Sequence, residues 1–522
     1  MTGAMGLARA GLVVSGAFLI SRVLGWVRLV VIGRAFEPAE LDTFFAAFRI
    51  PDLMFQLVAA GALSSALIPI VSGLLEREEQ AHAWRVVSTI INLMLVGLAV
   101  LAGLLFLLAP AVMSAITPGF GPEQLERTVG LTRIMLLSPI FLAMGSVATS
   151  VLNAGGRFAA SAIAPIVYNL AIIGGALFLA PSLGVEGLAV GVVAGSLGHL
   201  LVQLRPLARL GFRYELRIDR ADPQARRALA LMVPRAFGLG SGQVTFIVVT
   251  ALASTLTVGA VADFNIAFTL LQIPIGVIGV PLGIVLLPSL SRDAAVGREV
   301  EFAGLLTKAI RLLLYVMIPI AALAAVLRHE LVGILFGGGR IGDADLDRIA
   351  TTLLWFLTGL AAHALIAVLA RAFYARQDTL TPVLAAIAAV AMNTTLAIAL
   401  VGPLGLSGIA LAIALAAWME ALVLLVVLRR RISGLRLGGV GRVALQAIIG
   451  TLIAGALAFG TAALIGRALE PDPSRLAVVA DIAVVGAVFG LAYAAVSVVL
   501  RIPELPTIVG VMVDLIRRPL RS

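Results

Sequence analysis

Residues Ser21–Arg34 read SRVLGWVRLVVIGR. The segment lies in an apolar run that begins near Gly11, yet it carries Arg22, Arg28 and Arg34. An arginine at the centre of a membrane helix costs about 2.5–3.5 kcal/mol to insert, so it normally faces a bundle interior or a wet cavity. Whether this run crosses a membrane decides both the fold and where a function should be sought.

Composition answers the first question. The chain is 61% hydrophobic and 13% charged, with a mean hydropathy of +1.09. Apolar stretches recur from end to end, each of the about twenty residues that a helix needs to cross about 30 Å of hydrocarbon. The sustained alternation of a β-barrel is missing. The expectation is an all-α polytopic membrane protein of about 14 transmembrane helices, the second centred near Ala60. The first apolar run does not read as a signal peptide, because Arg22 and Arg28 interrupt it and no small-residue cleavage site follows.

There is no cysteine, which excludes disulfides, thiol nucleophiles and Cys-ligated metals. The net charge of +10 is almost entirely arginine, Lys308 being the single lysine. In a membrane protein this basicity points to insertion topology rather than to nucleic acid, and no nucleic-acid partner is expected. The loop at 205–227 holds seven arginines against three acids, and that at 429–442 five against none. The facing loops, EPAELD (37–42), RIGDADLDR (340–348) and RALEPDPSR (467–475), are acidic or balanced. Both termini and both arginine loops are therefore expected in the cytoplasm. The tail from Glu504 to Ser522 reads as an amphipathic helix on the inner surface.

An internal repeat is visible. RIPDLMF…SALIPIVSGL (49–74) echoes LQIPIGV…IVLLPSLSRD (271–293), which pairs Pro69 with Pro288, 219 positions on (288 − 69). GVEGLAVGVVAG (184–195) echoes GLSGIALAIALA (405–416), which pairs Gly187 with Gly408, 221 positions on (408 − 187). Six spans in each half give two parallel lobes: an N-terminal lobe over 1–220 and a C-terminal lobe over 221–440. The last two spans and the tail, 441–522, fall outside the repeat. Parallel repeats of this kind are the architecture of alternating-access transporters.

Arg22 and Arg28 are six residues apart, about 9 Å along a helix and about 120° around it, so a broad polar cavity would have to reach both. Arg34, near the span's outer end, can snorkel to the interface. Arg49 precedes Pro51, where a kink frees backbone carbonyls that need partners. The structural alternative is that Arg22, Arg28 and Arg49 lock helices together through carbonyls or acids, Asp42 and Asp52 being the acids nearest in sequence. The functional reading is an anionic, phosphate-bearing substrate, because guanidinium forks match phosphate oxygens. GLGSGQ (238–243) lacks the Lys-Ser/Thr of a nucleotide loop and reads as close helix packing. The histidines His82, His199, His329 and His363 are scattered, so no metal site and no enzyme chemistry are expected. Asn169, Gln243 and Asn393 read as interhelical hydrogen-bonding groups.

With these residues laid out, SRVLGWVR, DTFFAAFRIPDL, GALSSALIPI, APIVYNL, GVPLGIVLLPSLS and RAFYARQDTLTP together resemble the MurJ (MviN) family, within the MOP exporter superfamily. These are bacterial flippases for the peptidoglycan precursor lipid II. The resemblance runs from the first span to the eleventh. It implies two six-helix lobes around a cationic cavity, two further helices forming a groove for the lipid tail, and no chemistry on the substrate. It further implies that Ser21, Arg22 and Arg28 meet the diphosphate-sugar headgroup, that Arg49 holds a commonly basic position, and that Asn169 and Gln243 border the cavity. Departures are clear: Leu29 stands where an acid is usual, Phe55, Gln56 and Ala60 replace a basic and acidic second-helix pattern, and Thr269 and Gln272 occupy places of an arginine and a glutamate. Arg235 is the expected substitute cation on the seventh span, the alternative being that it anchors that span's cytoplasmic end. The function expected is transfer of lipid II, an undecaprenyl-diphosphate-linked sugar, from inner to outer leaflet of the bacterial plasma membrane, by a monomer without cofactor. The driving cation is not specified by the sequence. The alternative is a related flippase or exporter for another lipid-linked glycan or a cation-coupled substrate.

Overall fold

The structure is a computed structural model. It describes the backbone of residues 2–58, 62–432, 434–435, 437–468, 474–508 and 510; the side chains of 2–15, 58, 62–66, 233–241 and 466–468 lie outside the described set. The described residues are helical wherever they are regular, with no strand among them, as an apolar chain in a solvent without hydrogen-bond partners requires. Ala60, the expected centre of the second span, and most of the tail from 509 onward lie outside the described residues.

The chain forms two compact units, Met1–Ala262 with Gly338–Ile341, and Asp263–Gly337 with Gly342–Ser522. The first unit contains α1 (Thr2–Ala35), α2 (Pro38–Val58), α3 (Ala62–Glu76), α4 (Gln80–Ile116) and α5 (Pro122–Met135). It continues through α6 (Ser138–Ala154), α7 (Phe158–Gly174), the short α8 (Ala180–Leu183), α9 (Val185–Arg209) and α10 (Pro223–Ser254). Beyond the connection that opens α11 (Ala260–Pro274), the second unit holds α12 (Val280–Ala295), α13 (Glu299–Val326), α14 (Arg328–Phe336) and α15 (Asp343–Leu357). It closes with α16 (Leu360–Ala375), α17 (Leu380–Arg431), α18 (Leu437–Ala468) and α19 (Arg475–Val499). Helix α10, which the sequence reading assigns to the C-terminal lobe, packs within the first unit on α2, α3 and α4.

Among the described residues ten helices are long and apolar enough to cross a membrane, and the pair α15–α16, bent by 47°, makes an eleventh. Helix α17 is 52 residues long but is broken at Gly405 (φ 56°, ψ −135°). The segments on either side, about 25 residues and about 37 Å each, can both span about 30 Å of hydrocarbon. A Cβ placed on Gly408 would lie 2.3 Å from the carbonyl oxygen of Leu400, which along one straight helix would be about 12 Å away. The chain therefore doubles back at Gly405.

The same knuckle occurs in the first unit. Gly184 has φ 61° and ψ −143°, and a Cβ on Gly187 would lie 2.7 Å from the Leu179 backbone. All three positions (184, 187, 179) map onto the second unit's (405, 408, 400) at an offset of 221. Two further left-handed residues pair at nearly the same spacing, Glu78 with Gly297 and Gly156 with Gln377. The repeat inferred from sequence is thus present in backbone conformation as well.

Packing follows membrane rules, where close backbone approach stands in for the missing hydrophobic drive between helices. On α9, Gly187, Gly191 and Gly195 form one small-residue seam against α7 and its π-helical extension Gly175–Leu179. The arginine loop is held down rather than loose: Asn92 donates to the carbonyls of Glu215 and Arg217 at 2.9 Å, and Ser88 and Thr89 accept from the backbone N–H of Glu215 and Asp219. Asp222 caps α10, accepting from the N–H of Gln224 and Ala225, and meets His82 at 2.7 Å. Burial alone would raise its carboxyl, yet the Ala225 N–H, His82 and the Gln224 N–H hold it below the usual carboxylate range. At the opposite end, Glu40 lies between Arg127 (4.0 Å) and Arg340 (3.8 Å), with Glu186 and Glu37 completing the network.

Prolines inside helices each deprive the carbonyl four residues earlier of its N–H partner. Three of these carbonyls are taken up by a neighbouring helix. The Ala47 oxygen, freed by Pro51, accepts from the Thr132 hydroxyl at 3.4 Å. The Phe106 oxygen, freed by Pro110, accepts from Arg133 Nε at 3.1 Å, the guanidinium also lying over the Phe106 ring. The Tyr315 oxygen, freed by Pro319, accepts from the Tyr493 hydroxyl at 2.8 Å.

Candidate functional site

A cavity of about 360 Å³ lies between α1, α6 and α7 in the first unit. Its charged member is Arg22, half-buried, with the guanidinium 5.1 Å from the centre of the Phe18 ring one turn earlier. Ser21 lies beside it, and the opposite wall carries Thr149, Asn153 and Ser161. Arg22 makes no ion pair among the described residues, so its charge is offered to the cavity. The wall facing it is orderly. Gln203 donates to the carbonyls of Gly145 and His199, which turns its amide oxygen toward Thr149, 2.8 Å away. Ser161 donates to Asn153 Oδ1 at 2.9 Å or to the Phe158 carbonyl.

Asn169, buried on α7, spends its amide donors on the carbonyls of Ser21 (3.3 Å) and Pro165 (3.0 Å). It fixes α1 against α7 and so sets the direction from which Arg22 enters the cavity.

A second polar group forms around Asp52 on α2. Its carboxyl takes hydrogen bonds from Gln56 and Gln243 and faces Arg49. Arg49 is buried, donates from Nε to the Thr250 hydroxyl at 2.9 Å, and stacks over Phe246 at 5.1 Å. Arg28 is half-buried; the Tyr168 hydroxyl is within electrostatic reach of both Arg28 and Asp52. Helices α1, α2, α7 and α10 thus place Arg28, Arg49 and Asp52 in one neighbourhood, two positive charges against one negative.

Of the residues singled out in the sequence, Ser21 and Arg22 line the cavity, and Asn169 braces it. Arg28, Arg49 and Gln243 belong to the group around Asp52. Arg235 lies on α10, with its side chain outside the described residues. Asp52 faces Arg49 from the same helix, α2, so their proximity does not join two helices. The carboxyl oxygens of Asp42 accept from the backbone N–H of Gly259 and Ala262 at 2.7 Å each. Thr269, at a place where the family usually has a charge, returns its hydroxyl to the Asn265 carbonyl, and Gln272 is exposed. Sequence reading missed Thr149, Asn153 and Ser161. The only trace of them there is a run of small polar residues near the α6–α7 turn, which reads equally well as a loop.

Made from a repeated helical unit, with a guanidinium that makes no ion pair among the described residues turned into a cavity between helices, the molecule is built as polytopic membrane transporters are. Its fold matches a solved lipid II flippase MurJ in an inward closed conformation, with a TM-score of 0.78 and 21% identity over 94% of this chain and 99% of that one. An inward-facing multidrug resistance MATE transporter of the MOP superfamily matches with a TM-score of 0.65 and 16% identity over 79% and 95%. The sequence profile described as Lipid II flippase MurJ matches residues 36–468. The chain is 34% identical to the lipid II flippase MurJ of Burkholderia cenocepacia, over 82% of this chain and 84% of that protein. It is 33% identical to a probable lipid II flippase MurJ of Rhizobium tropici, over 82% of each. The chain belongs to the lipid II flippase MurJ family. The profile begins beyond Arg22 and Arg28.

Proposed function

We propose that this protein carries lipid II across the bacterial inner membrane, from the inner to the outer leaflet, by alternating access. The observation that supports this reading most directly is Arg22, without an ion pair among the described residues, lining a cavity of a chain that belongs to this family. Ser21, Arg22 and Arg28 receive the diphosphate-linked headgroup, since paired guanidinium forks suit diphosphate oxygens. Asn169 braces α1 against α7, Arg49 and Gln243 sit with Asp52 in the polar group beside Arg28, and Arg235 supplies a further positive charge from α10. No bond in the substrate is made or broken; a ligand drives the exchange by binding the inward and outward states of the protein differently. It works as a monomer without cofactor, with both termini in the cytoplasm. Whether a cation drives the cycle is a separate matter from headgroup binding.

The test is rescue. Bacteria depleted of their own lipid II flippase should survive when this chain is expressed, and lipid II should appear at the outer leaflet. Membrane-inserted protein that restores neither would sink the lipid II reading and favour another lipid-linked glycan.

A further inference from the structure

We infer that Thr149, Asn153 and Ser161 form a sugar-recognising subsite opposite Arg22, so that one cavity reads both the phosphate and the first sugar of a lipid-linked glycan. The inference rests on the flippase reading and adds to it the element that discriminates a glycosylated lipid from a bare diphosphate.

The donor and acceptor pattern carries the argument. Gln203, oriented by its bonds to Gly145 and His199, commits the Thr149 hydroxyl hydrogen and leaves that oxygen's lone pairs to the cavity. The Ser161 hydrogen is likewise committed, to Asn153 Oδ1 or to Phe158. Because Asn153 accepts on its oxygen, its NH2 group is the end left for a ligand, and it makes no hydrogen bond among the described residues. The wall therefore presents two acceptor oxygens and one amide donor group, none of them charged. That set pairs with hydroxyl groups, which both donate and accept, and with the carbonyl of an N-acetyl group. It offers a phosphate far less than the guanidinium across the cavity does.

Shape agrees. Phe18 and Phe158 border the same cavity, giving flat apolar surface beside convergent polar groups, the usual make-up of a small-molecule site. About 360 Å³ holds one sugar ring and a phosphate; a larger headgroup must extend beyond it. The rigidity of the wall matters as much as its chemistry, since groups already fixed by Gln203 and by each other lose little freedom on binding.

The experiment uses the purified full chain in nanodiscs and two probes that differ by one sugar, undecaprenyl diphosphate and undecaprenyl-diphosphate-N-acetylglucosamine. Native chain should bind the sugar-bearing lipid more tightly. Asn153→Ala, Ser161→Ala and Thr149→Val, each checked for unaltered thermal unfolding, should reduce that preference roughly fivefold per lost hydrogen bond. Their affinity for undecaprenyl diphosphate should not change. Arg22→Ala should weaken both probes alike. Three variants are used so that one which unfolds does not remove the test. Equal affinity of native chain for both probes, or a preference untouched in every folded variant, overturns the subsite while leaving the flippase reading in place. Failure of native chain to bind either probe overturns the flippase reading, and the subsite with it.

Discussion

Removing the guanidinium of Arg49 would strand the Asp52 carboxylate inside α2 and leave the Thr250 hydroxyl without its donor. Removing that of Arg22 would leave only a Phe18 ring and an emptier cavity. The two substitutions should therefore fail differently. Arg49→Ala should destabilise the fold by about 1–3 kcal/mol, the usual consequence of leaving a buried polar group without its partner. Its unfolding midpoint in detergent and its abundance in membranes should both fall. Arg22→Ala and Arg28→Ala should insert at normal levels and fail to transport, having lost a charge-assisted contact worth about 1.5–3 kcal/mol. Lysine at either site should rescue only in part, keeping the charge without the fork. Disappearance of the Arg22→Ala protein from membranes would show that Arg22 locks helices instead.

At the scale of helices, the prolines and the side chains that answer them are coupled pairs. Tyr493→Phe leaves the Tyr315 carbonyl buried without a donor, which should cost about 1–3 kcal/mol. In a Pro319→Ala background the residue at 319 supplies its own N–H to that carbonyl, and the cost of Tyr493→Phe should shrink. A double-mutant cycle on thermal unfolding reads this directly; equal costs in both backgrounds would refute the pairing. Proline effects of this kind were only half legible in sequence. Pro51 announces that the Ala47 carbonyl needs a partner, but nothing in the chain near it names Thr132, 85 positions away. Arg133 was likewise invisible as the answer to Pro110, and Asp42 as a cap for the 259–262 turn. Helix periodicity and hydropathy report which residues share a face, not which distant side chain meets that face. The repeat was legible for the opposite reason: Pro69, Pro288, Gly187 and Gly408 keep their roles by local backbone demands, and those leave marks at fixed spacing.

For the molecule as a whole, the arrangement of charged loops predicts an orientation, and a sequence without cysteine lets that orientation be measured without background. Single cysteines at Ala221 and Gly439 should be shielded from an impermeant thiol reagent in intact cells, and those at Ala39 and Asp343 should react. Labelling at Ala221 in intact cells would overturn the arginine-loop argument. Both ends of the first unit are tied down by specific bonds, Asn92 and Asp222 at one and Glu40 with its arginines at the other. The cavity between α1, α6 and α7 therefore sits in a unit whose helices are held at both ends.

The paired knuckles at Gly184 and Gly405 have a consequence for heredity. Their φ and ψ values lie where a side chain is strained whatever room surrounds it. Every glycine codon is one base change from residues that carry a Cβ, and none of those restores the conformation. In a saturation library selected for growth on this flippase alone, both codons should accept silent changes and almost nothing else. The neighbouring lipid-facing positions should drift freely.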